Sequence, residues 1–406
     1  MSAWLAVVGL GEGGMDGLGA AARALIDAAE VLVGGERHLA LVTAPKALSL
    51  PWKQPLSETL AHILEHRGRP VVVLASGDPL HYGVAALLAR HLKPAEMIVL
   101  PQASAFSLAA ARLLWPLEEC VCVSLHARPV DKLRLHLAPD ARIIALSTDG
   151  DTPVQVAELL RSEGWGASTI TVFAHMGGAR ERRVDGSAEA WPLGRIAALN
   201  TIAIECRSGP RARPRSRLAG LPEDAFENDG QITKRAVRAA TLAALAPLPG
   251  ELLWDIGAGC GSIAIEWLRA EHGMAAIAVE RDAMRTAMIA RNAAKLGVPE
   301  LRIVHGSAPA ALRDLPPPDA IFLGGGVSDN ALFEALWRAL KPGGRLVANA
   351  VTVEGEVQLA RWQGREGGQL SRLSVAQAEP VGSYQGWRPL MTVTQLAAAK
   401  GKDAAS

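Results

Sequence analysis

A glycine-rich loop between a predicted strand and a predicted helix constrains the fold of this 406-residue chain most strongly. Residues 251–265 read ELLWDIGAGCGSIAI, in which an apolar run ends at Asp255 and glycines follow at Gly257, Gly259 and Gly261. Glycine permits positive φ and a close approach of the backbone to a ligand, and the helix start behind the loop offers unpaired N–H donors. A dinucleotide loop places its third glycine three residues after the second, whereas here it follows after two. The pattern therefore predicts a ligand loop that does not bind a dinucleotide.

Short apolar runs alternate with helix-like stretches on both sides of one irregular segment. Before the segment they are AWLAVVGLG, PVVVLASGD, MIVLP, CVCVSL, RIIALS, STITVFAHM and NTIAIEC, and after it ELLWDIGAG, MAAIAVE, LRIVHGS, DAIFLGGG and GRLVANA. This alternation predicts α/β units whose parallel sheets are buried on both faces. The segment RSGPRARPRSRLAGLP lacks a periodic apolar pattern and predicts a linker. We expect domains over 1–206 and 223–400, joined by a linker over 207–222.

Composition and local patterns argue against several classes of protein. The 42 Lys and Arg residues against 41 Asp and Glu give a net charge of +1, which provides no electrostatic basis for binding nucleic acid or a membrane surface. No apolar run is long enough to cross a bilayer, and MSAWLAVVGLGEGG lacks the features of a signal peptide, so we expect a cytoplasmic protein. The four cysteines form neither a disulfide framework nor a C-x-x-C metal pair, so we expect buried thiols and no metal site.

The residues that end successive strands of the C-terminal unit form the expected ligand site. In a doubly wound sheet, ligands bind at the carboxyl ends of the strands. The second strand there ends at Glu280, whose carboxylate is suited to accept hydrogen bonds from two ribose hydroxyls; its alternative role is that of an acid near a helix start. The third strand leads to Gly306, Ser307 and Ala308, beside the expected position of an adenine edge.

The C-terminal half resembles two nested families. Its D-x-G-x-G-x-G loop is typical of class I S-adenosylmethionine (SAM) methyltransferases. The segments GLPEDAFENDGQITKRAVRAATLAAL, WDIGAGCGSIAIEW, IFLGGG and KPGGRLVANAVT closely resemble the decarboxylating cobalt-precorrin C15-methyltransferases. The resemblance implies a class I Rossmann-like fold and SAM contacts from Thr233, Gly257, Ala258, Gly259, Cys260, Gly261, Glu280 and Ala308. Ser307 stands where many class I enzymes have an acidic residue.

The N-terminal half resembles the tetrapyrrole methylase family. Three motifs occur in order: GLGEGG from Gly9, SGDPLHYG from Ser76, and PQASAFSLAAARL from Pro101. The resemblance implies a fold of two α/β lobes with SAM bound in the cleft between them. It implies contacts from Ser76, Gly77, Asp78, His81, Ser104 and Ala105. Glu12 departs from the proline found in many relatives.

Both resemblances in one chain indicate the family of bifunctional, decarboxylating precorrin-6Y C5,15-methyltransferases. Membership implies methylation of precorrin-6B at carbons 5 and 15 with loss of carbon dioxide from the ring C acetate, giving precorrin-8 in cobalamin (vitamin B12) biosynthesis. The expected partner is a small tetrapyrrole, with or without cobalt, and a homo-oligomer is expected. Two alternatives stay open: a class I SAM methyltransferase acting on RNA or another small molecule, and a SAM-binding protein without catalysis.

No catalytic residue is assigned by the sequence, because neither methyl transfer nor this decarboxylation requires a protein nucleophile. Arginine suits the substrate carboxylates through bidentate pairing, and the candidates are Arg235, Arg238, Arg281 and Arg388.

Four further residues each have two open interpretations. His126 and His305 follow strands, but a lone histidine is more often a satisfied imidazole than a catalyst. Asp78 is either a ligand contact or a helix cap, and Asn349 is either a substrate contact or a turn residue.

Overall fold

The protein, described here by a computed structural model, divides into two compact units. The structure describes residues 3–44, 46–53, 55–191 and 194–401. The first unit comprises the chain up to Val130 together with His136–Arg213, and the second comprises Asp131–Leu135 and the chain from Pro214 onward. The division after Arg213 lies inside the segment 207–222 expected to be a linker, and the domain boundaries themselves stay a prediction.

The first lobe of the first unit is a five-stranded parallel sheet in the order β3-β2-β4-β1-β5. Neighbouring residues of its strands point to opposite faces: Val7 packs in one apolar core and Val8 in the other. Both faces are therefore buried, as continuous apolar runs predict. The elements are β1 Leu5–Leu10, α1 Ala20–Asp27, β2 Val31–Gly34, α2 Glu36–Ala40, β3 Leu48–Pro51, α3 Leu56–Glu65, β4 Val71–Ser76, α4 Val84–Leu88 and β5 Met97–Leu100. The next helix, α5 Ala105–Leu113, packs against the sheet of the second lobe.

The second lobe has a mixed sheet in the order β6-β7-β10-β8-β9. Its elements are β6 Cys120–Ser124, β7 Arg142–Leu146, α6 Thr152–Ser162, β8 Thr169–Ala174, β9 Arg182–Ser187 and β10 Asn200–Glu205. Only β6 and β7 are parallel, and β10 is antiparallel to both of its neighbours. The expectation of a parallel sheet is wrong here, because an apolar run specifies burial on both faces and not the direction of pairing.

The second unit has a seven-stranded sheet in the order β13-β12-β11-β14-β15-β19-β16. The first five strands are parallel, whereas β19 and β16 are antiparallel to their neighbours, and β17 and β18 form a separate hairpin. The elements are α7 Arg235–Leu245, β11 Leu252–Ile256, α8 Ser262–Ala270, β12 Ala275–Glu280, α9 Ala283–Lys295, β13 Arg302–His305, β14 Ala320–Leu323, α10 Asn330–Ala339, β15 Arg345–Ala350, α11 Val353–Glu366, β16 Gln369–Leu373, β17 Ala376–Val381, β18 Tyr384–Pro389 and β19 Val393–Ala399.

Apolar cores on both faces hold the parallel strands of the second unit at a common edge. Leu253 of β11 packs in one core and the next residue, Trp254, in the other. The carboxyl ends of β12, β11, β14 and β15 consequently lie side by side, and the loops that follow them surround one region.

Candidate active sites

The glycine loop of the second unit adopts the backbone that its sequence predicts. Gly257, Gly259 and Gly261 have φ values of +70°, +60° and +80°, a region that favours glycine. The amide N–H groups of Gly257 and Ala258 both donate to the carbonyl of Val279, at 3.0 and 3.2 Å. The loop is thereby fixed against β12, with its exposed backbone at the strand ends.

This loop borders a cavity of about 1050 Å³ at the carboxyl edge of the sheet. The cavity brings together most of the residues expected to contact SAM in this half: Thr233, the loop from Gly257 to Cys260, Glu280 and Ala308. Gly261 is not among the lining residues, since it precedes α8 and packs against Ile289 of α9. Ser307 lines the cavity beside Ala308.

Glu280 is held rigidly at the end of β12. The residue is 4% exposed, and its carboxylate accepts hydrogen bonds from the amides of Gly259, at 2.9 Å, and Asp282, at 3.1 Å. The N-cap of α9 is Asp282, which accepts from the amides of Met284 and Arg285, so Glu280 lies near the helix start, as its alternative role has it, but does not cap the helix. Each carboxylate oxygen has a second lone pair free for a ligand hydroxyl.

The cavity fits a nucleoside-bearing ligand such as SAM. A side chain at Gly257 would place its Cβ only 3.2 Å from the amide nitrogen of Gly325, so the loops after β11 and β14 meet as bare backbone. The carboxylate of Glu280 and the backbone of the glycine loop supply hydrogen-bonding groups on one side. No phosphate-binding side chain is required of such a site.

Asp255 is a buried acid directly behind the loop. It is 1% exposed, and its Oδ2 accepts from the amide of Ala264 at 3.0 Å, whereas its Oδ1 has no partner among the described residues. Burial raises the pKa of Asp255 to about 7, against the effect of that hydrogen bond. The residue braces the start of α8 and does not line the cavity.

Two of the four candidate arginines are committed to other contacts. Arg238 is fully buried, pairs with Glu266 at 2.7 Å, and donates to the carbonyls of Thr233 and Leu221. It therefore holds the segment before α7 in place and does not reach a substrate. Arg388 lies on an exposed strand and pairs with Glu379 at 2.9 Å.

The remaining two arginines differ in position. Arg281 lines the cavity, and Arg235 does not. Arg281 follows β12, on the side of the cavity where Glu280 lies.

Asn349 lines the cavity from within β15, so its interpretation as a turn residue is wrong. Its side-chain nitrogen donates to the hydroxyl of Thr241 at 2.9 Å, and its oxygen accepts from Gln395 at 2.9 Å. These bonds join α7, β15 and β19, so the side-chain amide of Asn349 has a structural role.

Sequence reasoning missed an apolar surface of the same cavity, here called the apolar wall: Val351, Val375, Leu390 and Met391. Val351 follows β15, and the other three lie at the base of the β17–β18 hairpin, where the amide of Leu390 donates to the carbonyl of Val375 at 2.8 Å. Met391 is 67% exposed and Val351 is 51% exposed. No motif marks these residues, because the wall arises from a hairpin whose pairing the local sequence does not reveal.

In the first unit, the three N-terminal motifs meet at one sheet edge, since β4, β1 and β5 are neighbours. The amide of Gly77 donates to the carbonyl of Leu10, and the carbonyl of Gly77 accepts from the amide of Gln102, both at 3.1 Å. A Cβ on Gly9 would lie 2.0 Å from the carbonyl oxygen of Gly77. Only glycine permits this approach, which brings Ser76, Gly77, Ser104 and Ala105 to one region.

Glu12 joins the two lobes of the first unit. Its carboxylate forms an ion pair with Arg37 and accepts from His175 Nδ1 at 2.8 Å, just beyond the end of β8. Burial raises the pKa of Glu12, but the contacts with His175 and Arg37 outweigh it and hold that pKa below its usual value. The departure from proline therefore has a structural reason, namely a polar contact between loops of both lobes.

Ser76 extends this cluster. Its hydroxyl bonds to Arg37 and to His38 Nε2, each at 3.0 Å. Burial and the charge of Arg37 lower the pKa of His38 to about 4, although Glu12 opposes the shift. His38 is therefore neutral at physiological pH, and its neutral ring can accept a hydrogen bond.

The other predicted residues of the first unit have defined local roles. Asp78 accepts from the amide of Leu80 at 2.9 Å, a turn contact and not a helix cap, because α4 begins only at Val84. Ser104 is the N-cap of α5 and accepts from the amide of Ser107 at 3.1 Å.

Aromatic side chains surround the exposed His81. Its ring lies 5.1 Å from that of Tyr82 and 4.7 Å from that of Phe106, between ring centres. The guanidinium of Arg128 stands 5.4 Å from the centre of the Tyr82 ring. This cluster offers a partly exposed aromatic surface, formed by His81 and Tyr82, with a cation at its side.

The two further histidines differ in their contacts. His305 Nε2 bonds to the carbonyl of Arg281 at 3.0 Å, which fits a satisfied imidazole. His126 is exposed in the loop after β6.

Three other features bear on ligands and location. Cys206 and Cys260 are buried, Cys120 and Cys122 are half-buried, and all four are free thiols. In the part of the chain that the structure describes, no group of three His, Cys, Asp or Glu residues could hold a metal ion. Within the same residues, no helix has the length and apolar character needed to span a membrane.

Comparison with known proteins gives a match for each half of the chain. Residues 5–191 match the family described as Tetrapyrrole (Corrin/Porphyrin) Methylases, and residues 224–400 match the Precorrin methyltransferase domain. The C-terminal domain of precorrin-6Y C5,15-methyltransferase from Rhodobacter capsulatus, a solved structure, is 50% identical, with a TM-score of 0.44, over 46% of this chain and 100% of that one.

Two curated relatives match along almost the whole chain, and both are named precorrin-6Y C(5,15)-methyltransferase [decarboxylating]. The one from Sinorhizobium sp is 50% identical over 99% of this chain and 97% of its own length. The one from Mycobacterium tuberculosis (strain CDC 1551 / Oshkosh) is 43% identical over 97% of this chain and 99% of its own. The chain therefore belongs to the family of decarboxylating precorrin-6Y C(5,15)-methyltransferases.

Proposed function

We propose that this chain methylates precorrin-6B at carbons 5 and 15 and removes the carboxyl group of the ring C acetate, giving precorrin-8 in cobalamin biosynthesis. The observation that carries the proposal is that each compact unit brings its motif residues to one edge of a sheet, with a cavity at that edge in the second unit. Its membership of a family named for both methylations and for decarboxylation supports the assignment.

The second unit is assigned carbon 15 and the decarboxylation. Methylases of this family use SAM, which supplies a methyl group made electrophilic by its sulfonium. The backbone from Gly257 to Cys260 and the residue Thr233 would hold the amino-acid end of that ligand, with Glu280 accepting from the ribose hydroxyls and Ala308 beside the adenine. The protein then needs only to hold an electron-rich ring carbon in line with the methyl group.

The first unit is assigned carbon 5. Its match to the tetrapyrrole methylases and the meeting of its three motifs at one sheet edge support this role. Ser76, Gly77, Asp78, His81, Ser104 and Ala105 are the proposed SAM contacts. Among these, Ser76 and His81 are exposed and available to a ligand.

The substrate is a tetrapyrrole precursor, consistent with the family to which the chain belongs. A homo-oligomer stays an expectation. Light scattering on the purified full chain at several concentrations would measure its mass directly.

Two variants of the full chain test the assignment of the units. Gly259→Val places a branched side chain at φ +60° beside the carbonyl of Gln231, and Gly77→Val places one against Ser104. With precorrin-6B and SAM, we expect Gly259→Val to lose methylation at carbon 15 and the release of carbon dioxide. We expect Gly77→Val to lose only methylation at carbon 5.

The activity retained by each variant is the internal control, since it shows that the other unit is folded. If Gly77→Val abolished carbon dioxide release and spared carbon 5, the assignment of the two units would be reversed. If both variants kept both methylations, neither site would be a methylation site.

A further inference from the structure

The cavity of the second unit has two chemically different sides. Glu280 ends β12 and Ala308 follows β13, on one side of β11, whereas Val351 follows β15 on the other side. The sheet order places three strand intervals between β12 and β15, which is about 14 Å at about 4.8 Å per interval. Glu280 and Ala308 therefore lie at the opposite end of the cavity from the apolar wall, with the glycine loop between them.

Helix α7 covers the half of the cavity that contains the apolar wall. Arg345, at the start of β15, donates to the carbonyl of Leu245, and Asn349, near its end, donates to Thr241. The helix thus runs antiparallel to β15, and its first turn projects past the carboxyl end of that strand. Lys234 and Val237 line the cavity from this turn.

Positive charge is distributed unevenly around the cavity. In the described part of the chain, the lining cations are Lys234, Arg281 and Arg285. Arg281 and Arg285 belong to the β12–α9 end, and Arg285 also pairs with Asp229 at 2.8 Å. Both arginines therefore lie at the end of the cavity away from Val351, whereas Lys234 lies in the half that α7 covers.

The loss of carbon dioxide depends on the surroundings of the departing carboxylate. The bond between the acetate methylene and the carboxylate carbon breaks, its electron pair enters the conjugated ring, and carbon dioxide leaves. The methylene carbon then takes a proton from water and becomes a methyl group. Water or a cation stabilises the localised carboxylate more than the dispersed charge that develops, so either one slows the step.

We propose that the apolar wall, formed by Val351, Val375, Leu390 and Met391, holds the departing acetate of the tetrapyrrole out of water, and so promotes decarboxylation. This inference rests on the proposed function and assigns residues to its least explained step. The bound substrate then covers the half-exposed and exposed apolar side chains of the wall.

A lysine at Met391 tests the wall without disturbing a core, because the residue is 67% exposed. The matched control is Leu248→Lys, at a 59% exposed residue of the same unit that does not line the cavity. The full chain is given saturating precorrin-6B and SAM, and carbon dioxide release is followed by mass spectrometry. We expect Met391→Lys to slow release by about tenfold or more, and Leu248→Lys to stay within about twofold of the unsubstituted chain.

Two further measurements separate a chemical effect from a binding effect. In Met391→Lys the dissociation constant of SAM should change by less than about threefold and precorrin-6B should bind no more weakly than to the unsubstituted chain, whereas Met391→Leu, which keeps the wall apolar, should restore most of the rate lost in Met391→Lys. Carbon dioxide release at the normal rate in Met391→Lys would overturn the proposal, as would a loss fully explained by weaker substrate binding. If the unsubstituted chain releases no carbon dioxide, the proposed function itself fails.

Discussion

Replacing Asp255 with asparagine is expected to change the pH dependence of stability in the second unit. The carboxyl group is buried, its Oδ1 lacks a partner among the described residues, and its pKa is raised from 3.8 to about 7 by burial. The folded protein therefore keeps this group protonated in a range where the unfolded chain ionises it. Asparagine has nearly the same shape, can still accept from the amide of Ala264, and does not ionise.

The magnitude follows from linkage. A raised acid pKa contributes stability that is fully present below the unfolded value of 3.8 and is lost as the pH rises through about 7. Each pH unit in this window lowers the free energy of unfolding by about 1.4 kcal/mol. Between pH 5 and pH 8 the loss amounts to about 3 kcal/mol, and Asp255→Asn should not show it.

Hydrogen exchange measured by mass spectrometry on peptides from residues 252–270 reports on this unit within the full chain. The stability of Asp255→Asn relative to the unsubstituted chain should improve by about 3 kcal/mol from pH 5 to pH 8. Asp319→Asn provides a control without a pH trend in this range: burial raises the Asp319 pKa, but the bonds from Lys341 outweigh it and hold that pKa below its usual value, so the group is ionised in both states from pH 5 to pH 8. A relative stability of Asp255→Asn that is the same at both pH values would refute the reasoning.

Three further substitutions test other contacts. Glu12→Gln weakens a mostly buried ion pair and should lower the stability of the first unit, measured by hydrogen exchange, by about 2 kcal/mol. Its control is Glu30→Gln, at a half-exposed ion pair, which should change that stability by less than about 0.5 kcal/mol. Arg238→Met leaves Glu266 buried without its arginine partner and should lower the free energy of unfolding in urea by about 3–5 kcal/mol. A decrease below about 1 kcal/mol would contradict a stabilising role for this buried ion pair. Ser104→Ala removes the cap of α5 and should cost about 1 kcal/mol by the same measurement, and no change would show that the cap contributes nothing.

The features that the sequence predicts well are those fixed by local chemistry. The loop at Gly257, Gly259 and Gly261 has the expected positive φ, because glycine adopts that conformation without the steric cost that other residues meet. The strand ends at Glu280 and Ala308 meet beside this loop, because parallel strands place their carboxyl ends at one edge. Whether these residues bind SAM stays a prediction.

The features that the sequence does not predict depend on pairing between distant segments. Strand β10 lies antiparallel between β7 and β8, and nothing in NTIAIEC specifies that direction. The β17–β18 hairpin places Leu390 and Met391 at the cavity, although most of its side chains are exposed and show no apolar period. The structural role of Glu12 likewise depends on the fold, which brings His175 into contact with it.

The central claim is that one chain performs two methylations and one decarboxylation on the same precursor. Its most direct test is the mass of the product formed by the unsubstituted full chain from precorrin-6B and excess methyl-labelled SAM. The account predicts a product that has gained two labelled methyl groups and lost one carbon dioxide. A final product with a single labelled methyl group, or one that retains every carboxyl group, would contradict it.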